Sequence, residues 1–181
     1  AVQELNELIN NTEPFYLEAP REMERQRKNG NNRDISKVYL FQSCCGSTLY
    51  RGMELGARYI LEQLGIKVIS SNEQTCCGGV PFAVNALTFI EKGLIGTRNL
   101  AVIEEVLSNC NARIIIGTCP SCVLSCREAK NLMSNEQNKK TINDRLSTIG
   151  RHIESNPTID HIVGLLHDNI DHIKEEVKLP L

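Results

Sequence analysis

The segment that decides the fold is Arg113-Ile114-Ile115-Ile116-Gly117-Thr118-Cys119-Pro120-Ser121-Cys122. Its three consecutive isoleucines predict a buried β-strand, and the residues from Pro120 onward predict a helix that continues to about Met133. Cys119 and Cys122 therefore follow the end of a strand and lie at the start of a helix. Helix N-termini and backbone amides stabilise a thiolate, so this is a position that favours metal binding or redox chemistry.

Two earlier strands are predicted, and each is followed by helical sequence. Val38-Tyr39-Leu40-Phe41 and Ile66–Ile69 are short apolar runs, and Gly65 marks the end of the helix between them. That helix carries apolar residues at helical spacing: Leu49, Met53, Leu55, Ile60, Leu61 and Leu64. Leu87–Gly93 and Gly96–Asn109 are predicted helices before the third strand. This alternation predicts an α/β fold, an open and mostly parallel sheet with helices on both faces.

The two ends of the chain differ from this central part. Residues 1–36 are polar and are predicted to form an N-terminal arm or linker, with a short helix over Val2–Ile9. A cysteine-rich domain is predicted from residue 37 to residue 181, with a helical extension from about residue 135. Within that extension, Asn135–Asn143 is polar and Thr158–Val177 is predicted to be one amphipathic helix.

Composition excludes several classes of function. The 181 residues carry a net charge of −2, a pI near 6.1, 4% aromatic residues and no Trp, which argues against nucleic acid and against anionic membrane surfaces as partners. No apolar run is long enough to predict a membrane span, and the first 36 residues lack the pattern of a signal peptide. A cytoplasmic location is therefore expected, where eight cysteines indicate metal or redox chemistry in preference to disulfides.

Three cysteine-bearing segments are predicted to converge at the carboxyl-terminal edge of the sheet. Cys44-Cys45 follows the first strand, Cys76-Cys77 lies beyond the second, and Cys119-Pro120-Ser121-Cys122 follows the third. Ligands of open α/β sheets bind at that edge. Adjacent cysteines are poor disulfide partners, whereas thiolates brought together from separate segments can hold an iron–sulfur cluster.

The number of thiols bears on the kind of metal site. Five candidate ligands are present: Cys44, Cys76, Cys77, Cys119 and Cys122. Zinc and an ordinary cubane cluster each take four, so a fifth thiolate indicates a larger or unusual cluster, or one cysteine with another task. Zinc remains an alternative, as does metal-free dithiol exchange at Cys119 and Cys122.

The remaining candidates are weaker. On the residues alone either member of the Cys44-Cys45 pair could be the ligand, while Cys110 is expected to be a small buried side chain and Cys126 either core or a neighbour of the site. Arg98 is expected to form an ion pair or, less simply, to hold an anionic substrate group. Solvent-facing or capping roles are expected for the histidines, which are His152, His161, His167 and His172.

The cysteine pattern resembles the cysteine-rich CCG domain of the heterodisulfide reductase B subunit over Lys37–Leu181. That family has a cysteine after an opening strand, then Cys-Cys, then Cys-x-x-Cys, and in this register Cys44 is selected over Cys45. Further matching segments are Tyr50-Arg51-Gly52-Met53-Glu54, Leu64-Gly65, Arg98-Asn99 and Lys174–Leu181. One motif is present here, whereas family members carry two such domains that face one another.

The resemblance implies a specific cofactor and reaction. It implies a non-cubane [4Fe-4S] cluster held by the five cysteines, with the chemistry at the cluster and no protein nucleophile. The implied reaction is reduction of the coenzyme M–coenzyme B heterodisulfide in methanogenesis, or the reverse thiol oxidation. The implied partners are ferredoxin-like iron–sulfur and flavoprotein subunits and a second CCG domain or homodimer mate. The alternative is a non-catalytic cluster- or zinc-binding docking module of a fumarate/succinate- or lactate-linked redox complex.

Overall fold

The architecture is a four-stranded sheet in which every pairing is parallel. A computed structural model of the chain describes residues 35–110, 112 and 114–176, apart from the side chains of 172, 175 and 176. The strands are β1 (Lys37–Phe41), β2 (Lys67–Ile69), β3 (Ile114–Gly117) and β4 (Thr158–His161), in the spatial order β2-β1-β3-β4. The predicted open parallel α/β sheet is confirmed. The arm predicted over residues 1–36, with its helix at Val2–Ile9, lies outside the described residues except for its last two positions.

Helices connect the strands and continue beyond them. They are α1 (Cys44–Thr48), α2 (Arg51–Gln63), α3 (Gly79–Ala83), α4 (Phe89–Cys110), α5 (Pro120–Leu132), α6 (Glu136–Ser147), α7 (Ile162–Asp168) and α8 (Ile170–Glu176). Among the described residues, no helix is both long and apolar enough to span a membrane.

Both faces of the sheet are covered because the strands are apolar on both sides. Val38 and Leu40 of β1 pack in a cluster with Leu61 of α2 and with α7, while Tyr39 and Phe41 point into the opposite cluster with α4, α5 and α6. All four β1 side chains are almost completely buried, and each contributes roughly 1.5–3 kcal/mol through its removal from water.

The strand order reverses between β1 and β3. From β1 the chain crosses by α2 to β2 on one side, then returns by α4 to β3 on the other side of β1 and continues by α5 to β4. The crossover helices lie on opposite faces, as right-handed connections in opposite directions require. The crevice outside the carboxyl ends of β1 and β3 is therefore the place where this fold class binds ligands.

Helices α4 and α5 pack unusually close together. A methyl group added at Gly96 would lie 2.8 Å from Ala129 Cβ, and one at Gly93 would lie 2.6 Å from Leu132 Cδ1. A buried ion pair joins the same helices, with Lys92 Nζ 2.5 Å from a carboxylate oxygen of Glu128. This packing fixes α5, which carries Cys122, against α4.

Two details differ from the sequence-based expectations. The C-terminal part is mainly helical, as predicted, but Thr158–His161 forms β4 because its backbone pairs with β3, so the helix begins at Ile162 and is interrupted at Asn169. The polar Asn135–Asn143 segment agrees with the predicted helical extension, because it is part of α6, whose N-terminus is capped by the Asn135 side chain. The two helices predicted over residues 87–109 are one continuous helix, α4.

Helix α2 has the predicted span, but most of its apolar residues do not face the core. Leu61 is fully buried, whereas Leu55 is 66% exposed and Leu49, just before the helix, is 72% exposed. Their helical spacing predicted the helix correctly; it did not identify the buried face.

Candidate metal centre

The three cysteine segments occupy the positions that the fold provides for ligands. Cys44 begins α1 directly after β1, and Ser43 caps that helix by accepting a hydrogen bond from the Gly46 amide at 2.7 Å. Cys119 is the N-cap residue of α5 and Cys122 lies in its first turn. Cys76 and Cys77 lie in the loop between β2 and α3. All three segments meet at the edge where the strand order reverses.

The five predicted thiols form a row. Cys44 Sγ lies 3.9 Å from Cys76 Sγ, and Cys77 Sγ lies 3.4 Å from Cys122 Sγ. Cys76 also interacts with Cys77, and Cys119 interacts with Cys122, so the row runs Cys44, Cys76, Cys77, Cys122, Cys119. In the described part of the chain, no group of three or more His, Cys, Asp or Glu side chains is positioned so that it could hold a metal ion without rearrangement. Which sulfurs bind a metal stays a prediction.

The row has a buried middle and more accessible positions on either side of it. Cys77 and Cys122 are 4% and 2% exposed, whereas Cys44, Cys76 and Cys119 are only partly buried. The thiol of Cys122 donates a hydrogen bond to the sulfur of Cys77, and the thiol of Cys76 donates one to the sulfur of Cys44.

The charge state of the thiols follows from these contacts. The hydrogen bond from Cys122, together with the Gly79 amide and the nearby Ser125 hydroxyl, lowers the pKa of Cys77 to about 6 despite its burial. The pKa of Cys122 is raised because it keeps the proton that it shares with Cys77 and because it is buried. Burial and the neighbouring Cys76 and Cys45 raise the pKa of Cys44 to about 11. Cys77 is therefore a thiolate at neutral pH, while Cys44 and Cys122 are protonated.

The Cys76-Cys77 pair is held by a tight turn. Gly78 has a φ of +77°, a left-handed conformation that glycine adopts without strain. In this turn the Gly78 amide donates to Cys76 Sγ and the Gly79 amide donates to Cys77 Sγ, each at 3.4 Å. Consecutive amides aimed at adjacent sulfurs stabilise negative charge on both.

Asn99 of α4 fixes the same loop from behind. It is fully buried, and its carbonyl oxygen accepts from the Thr75 amide at 2.9 Å while its amide nitrogen donates to the Cys76 carbonyl at 3.1 Å. The adjacent Arg98 donates to the backbone carbonyl of Glu73, a role that neither of the two interpretations of Arg98 included. The loop is thereby tied to α4, which in turn packs against α5.

The histidines take ordinary structural positions where they are described. His161 caps α7, because its Nδ1 accepts from the Val163 amide at 3.2 Å, and this leaves Nε2 to donate to the Thr118 carbonyl at 3.0 Å. The cap expected from the sequence thus also steadies the residue before Cys119. His152 and His167 are exposed, and the side chain of His172 lies outside the described residues.

Of the three remaining cysteines, Cys45 and Cys126 neighbour the row and Cys110 lies at the end of α4. Cys126 is buried in the core cluster, and its pKa is raised by burial and by the neighbouring Cys77, so both alternatives for this residue apply. Cys45 lies beside Cys44 and is partly buried. Cys110 ends α4 and is only partly buried, although a buried position was expected.

Sequence reasoning did not identify the residues that support the row. Asn99 was noted only as part of a matching segment, and neither Ser125 nor the Lys92–Glu128 pair was singled out. The signal for Ser125 and Glu128 is their position on the helix that begins with Cys119, one and two turns beyond Cys122.

Comparison with known proteins identifies the class. Residues 38–127 match the family model CCG, described as a cysteine-rich domain, and through this domain the chain belongs to that family. The membership expected from the cysteine spacing is therefore confirmed.

Curated relatives show which proteins with named functions the chain is similar to. The chain is 26% identical over 78% of its length to the B subunit of the enzyme named "Ferredoxin:CoB-CoM heterodisulfide reductase" in Methanosarcina acetivorans. It is 27% identical over 80% of its length to a protein of Archaeoglobus profundus that is named as similar to a heterodisulfide reductase B subunit. It is 29% identical over 58% of its length to the "Glycolate oxidase iron-sulfur subunit" of Escherichia coli, covering 25% of that protein. It spans 47% and 48% of the first two relatives, about half of their length.

A solved structure shares the fold. A hypothetical protein from Helicobacter pylori superposes with a TM-score of 0.59 at 16% identity, covering 90% of this chain and 32% of that one. At this identity the likeness concerns the architecture alone.

Proposed function

We propose that the chain is an iron–sulfur module of an oxidoreductase that resembles the B subunit of heterodisulfide reductase. The proposed ligands are Cys44, Cys76, Cys77, Cys119 and Cys122, and the proposed cofactor is a non-cubane [4Fe-4S] cluster. The observation that carries the proposal is the row of five thiols at the edge where the strand order reverses. The names of the relatives, two of the heterodisulfide reductase type and one iron–sulfur subunit, point the same way.

The residues present fit such a cofactor. Sulfur donors are the usual ligands of iron–sulfur clusters, and a row of sulfurs suits a group with several metal atoms, whereas one tetrahedral ion takes four ligands around a single point. The amides of Gly78 and Gly79 already donate to two of the sulfurs, as the hydrogen bonds that tune such clusters do. Cys77 is ionised at neutral pH and ready to bind metal.

The proposed reaction is reduction of the coenzyme M–coenzyme B heterodisulfide, in which two electrons and two protons break the S–S bond and release two thiols, or its reverse. When bound, the cluster supplies one-electron transfer. The chain's own residues position it: Asn99 and the Gly78-Gly79 turn hold the Cys76-Cys77 pair, and His161 holds the loop before Cys119. The partly buried Cys44 and Cys76 leave that end of the row accessible to a small disulfide.

The proposed partners follow from the length of the relatives. A chain that spans about half of them is expected to meet a second CCG domain, from a homodimer mate, another polypeptide or a further part of the same protein, for a two-electron reaction. Ferredoxin-like iron–sulfur and flavoprotein subunits are the proposed electron donors, in the cytoplasm.

Metal analysis of anaerobically purified protein is the first test. We expect iron and acid-labile sulfide in about equal amounts, followed by turnover of the heterodisulfide with a reduced dye as electron donor. Zinc without sulfide would contradict the cluster, and protein with neither metal would favour dithiol exchange at Cys119 and Cys122.

A matched pair of variants tests the register. Cys44→Ala is expected to lower the iron content per chain, whereas Cys45→Ala, which removes the adjacent thiol, is expected to keep it. The opposite result would move the ligand to Cys45.

A second candidate function is electron transfer without substrate chemistry. The likeness to a glycolate oxidase iron-sulfur subunit favours it, because that relative is named for an enzyme that oxidises glycolate and not for one that reduces a disulfide. In this case the protein holds the cluster and accepts electrons from a flavoprotein, but shows no turnover of the heterodisulfide.

A further inference from the structure

Ser125 is a buried residue of α5 whose hydroxyl lies near the Cys77 sulfur but makes no hydrogen bond of normal geometry. The residue is 3% exposed, and no described protein atom satisfies its Oγ. Burial of a hydroxyl without a full hydrogen bond is unfavourable. Because native proteins pair nearly all buried polar groups, a hydroxyl left in this condition indicates that its acceptor takes its final position only in another state of the site.

Other helical hydroxyls in the described part of the chain show what Ser125 does not do. Ser108 donates to the carbonyl of Glu104 at 2.8 Å, and Thr141 donates to the carbonyl of Gln137 at 3.0 Å. This bond to the preceding turn is the usual way in which a serine or threonine inside a helix satisfies its hydroxyl. The hydroxyl of Ser125 does not make this bond to the preceding turn. The orientation of its side chain is therefore set by contacts outside its own helix.

The space beside Ser125 belongs to the cysteine row. A methyl group added at Gly79 would lie 3.3 Å from Cys77 Sγ and 3.7 Å from Ser125 Oγ, so the sulfur and the hydroxyl border the same small volume. The glycine leaves this volume open. The Gly79 amide and the Cys122 thiol both donate hydrogen bonds to the sulfur of Cys77. Cys77 is therefore the thiol of the row that accepts from two donors.

We propose that Ser125 donates a hydrogen bond to the Cys77 sulfur when that sulfur is bound to the cluster, and thereby raises the reduction potential of the cluster. The proposal rests on the proposed function, since it takes Cys77 as a cluster ligand. A donor to a ligand sulfur offsets the negative charge that the cluster gains on reduction, so it favours the reduced form. Ser125 acts through Cys77 and is a positioning residue.

A redox titration of the cluster-loaded protein tests this role. Ser125→Ala removes only the hydroxyl, and we expect the ratio of reduced to oxidised cluster at a fixed applied potential to fall about fivefold, since a net hydrogen bond contributes about 1 kcal/mol. For a one-electron couple this is a midpoint lower by about 40 mV. The matched control is Ser108→Ala, which removes a hydroxyl from the far end of α4 and is expected to keep the wild-type midpoint.

The thermal midpoint of the cluster-free protein provides a second readout. Because the hydroxyl makes no hydrogen bond of normal geometry there, Ser125→Ala is expected to change this midpoint little. A clearly lower midpoint would mean that the hydroxyl serves the stability of the polypeptide itself, and would contradict the proposal.

The outcomes separate this proposal from the one on which it rests. Wild-type protein without iron and sulfide overturns both proposals. A loaded wild type with an unshifted midpoint in Ser125→Ala overturns only the role of Ser125. Should Ser125→Ala take up no cluster, Ser125→Thr decides: iron in this variant, which keeps the hydroxyl, supports the donor, and its absence there overturns it.

Discussion

Two pairs of neighbouring thiols in the cysteine row are built differently. In the inner pair, Cys77 and Cys122 lie 3.4 Å apart, almost without solvent, between the Gly78-Gly79 turn and a helix that packs tightly on α4. In the outer pair, Cys44 and Cys76 lie 3.9 Å apart and are partly exposed, and Cys44 belongs to α1, a helix of five residues.

This difference indicates that the two pairs have different tasks: one holds the cofactor and the other gives substrate access to it. The inner pair is formed by packing that exists without any metal, and it includes the thiolate of Cys77. Cys122 in the inner pair and Cys44 in the outer pair are both protonated and must lose their protons before they bind metal, but only Cys44 is accessible to solvent. We therefore expect the inner cysteines to hold the cluster and the outer ones to govern its loading and its access to substrate.

Removal of one thiol from each of the two pairs gives the largest expected effect, a loss of cluster iron. Cys77→Ala is expected to reduce cluster iron to background, because it removes the ionised ligand, whereas Cys44→Ala is expected to retain part of it. Iron and sulfide per chain, measured on anaerobic preparations, compare the two. Equal losses would show that the inner and outer pairs contribute equally.

The pH dependence of the stability of the cluster-free protein gives the next largest expected effect. The lowered pKa of Cys77 stabilises the fold above the ordinary thiol pKa, and this contribution is lost as pH falls through about 6. Stability is thus expected to rise between pH 6 and about 8.5 by at most about 1.4 kcal/mol per pH unit.

Above about pH 8.5 the trend reverses, because the unfolded chain then releases protons that Cys44 and Cys122, with their raised pKa values, keep in the fold. The midpoint of urea unfolding under reducing conditions, followed against pH, measures both limbs. Cys77→Ser is expected to remove the rising limb; a rise that survives in this variant would have another source.

The helix packing behind the inner pair can be tested with substitutions at two glycines. Gly96→Ala places a methyl group 2.8 Å from Ala129 Cβ and is expected to lower the free energy of unfolding by about 1–3 kcal/mol. Gly56→Ala on α2, where nothing lies within 4 Å, is expected to raise it by about 0.5–1 kcal/mol. Chemical denaturation of the cluster-free variants compares them, and equal effects would argue against close packing of α4 on α5.

The sequence predicted those parts of the molecule that depend on local patterns. Three of the four strands, the parallel sheet and the meeting of the cysteine segments followed from apolar runs and from the position of each thiol after a strand. The register with the family selected Cys44, and the structure places its sulfur beside that of Cys76.

The parts that the sequence did not predict depend on tertiary contacts. Thr158–His161 is a strand only because β3 offers it a free edge, and its residues fit a helical pattern equally well. The exposed residues of α2 have the spacing of a buried face but no partner among the described elements. The roles of Asn99 and Ser125 depend on which backbone or sulfur lies opposite them, and spacing along one chain does not carry that information.

The reversal of strand order between β1 and β3 also has a consequence during synthesis. The inner pair joins a loop after β2 to a helix after β3, and α4 must be in place between them. A nascent chain that has not yet exposed Cys122 outside the ribosome presents only Cys44, Cys76 and Cys77 from the inner and outer pairs. Delivery of iron and sulfide is therefore expected to follow the emergence of α5, because the earlier thiols alone form an incomplete metal site.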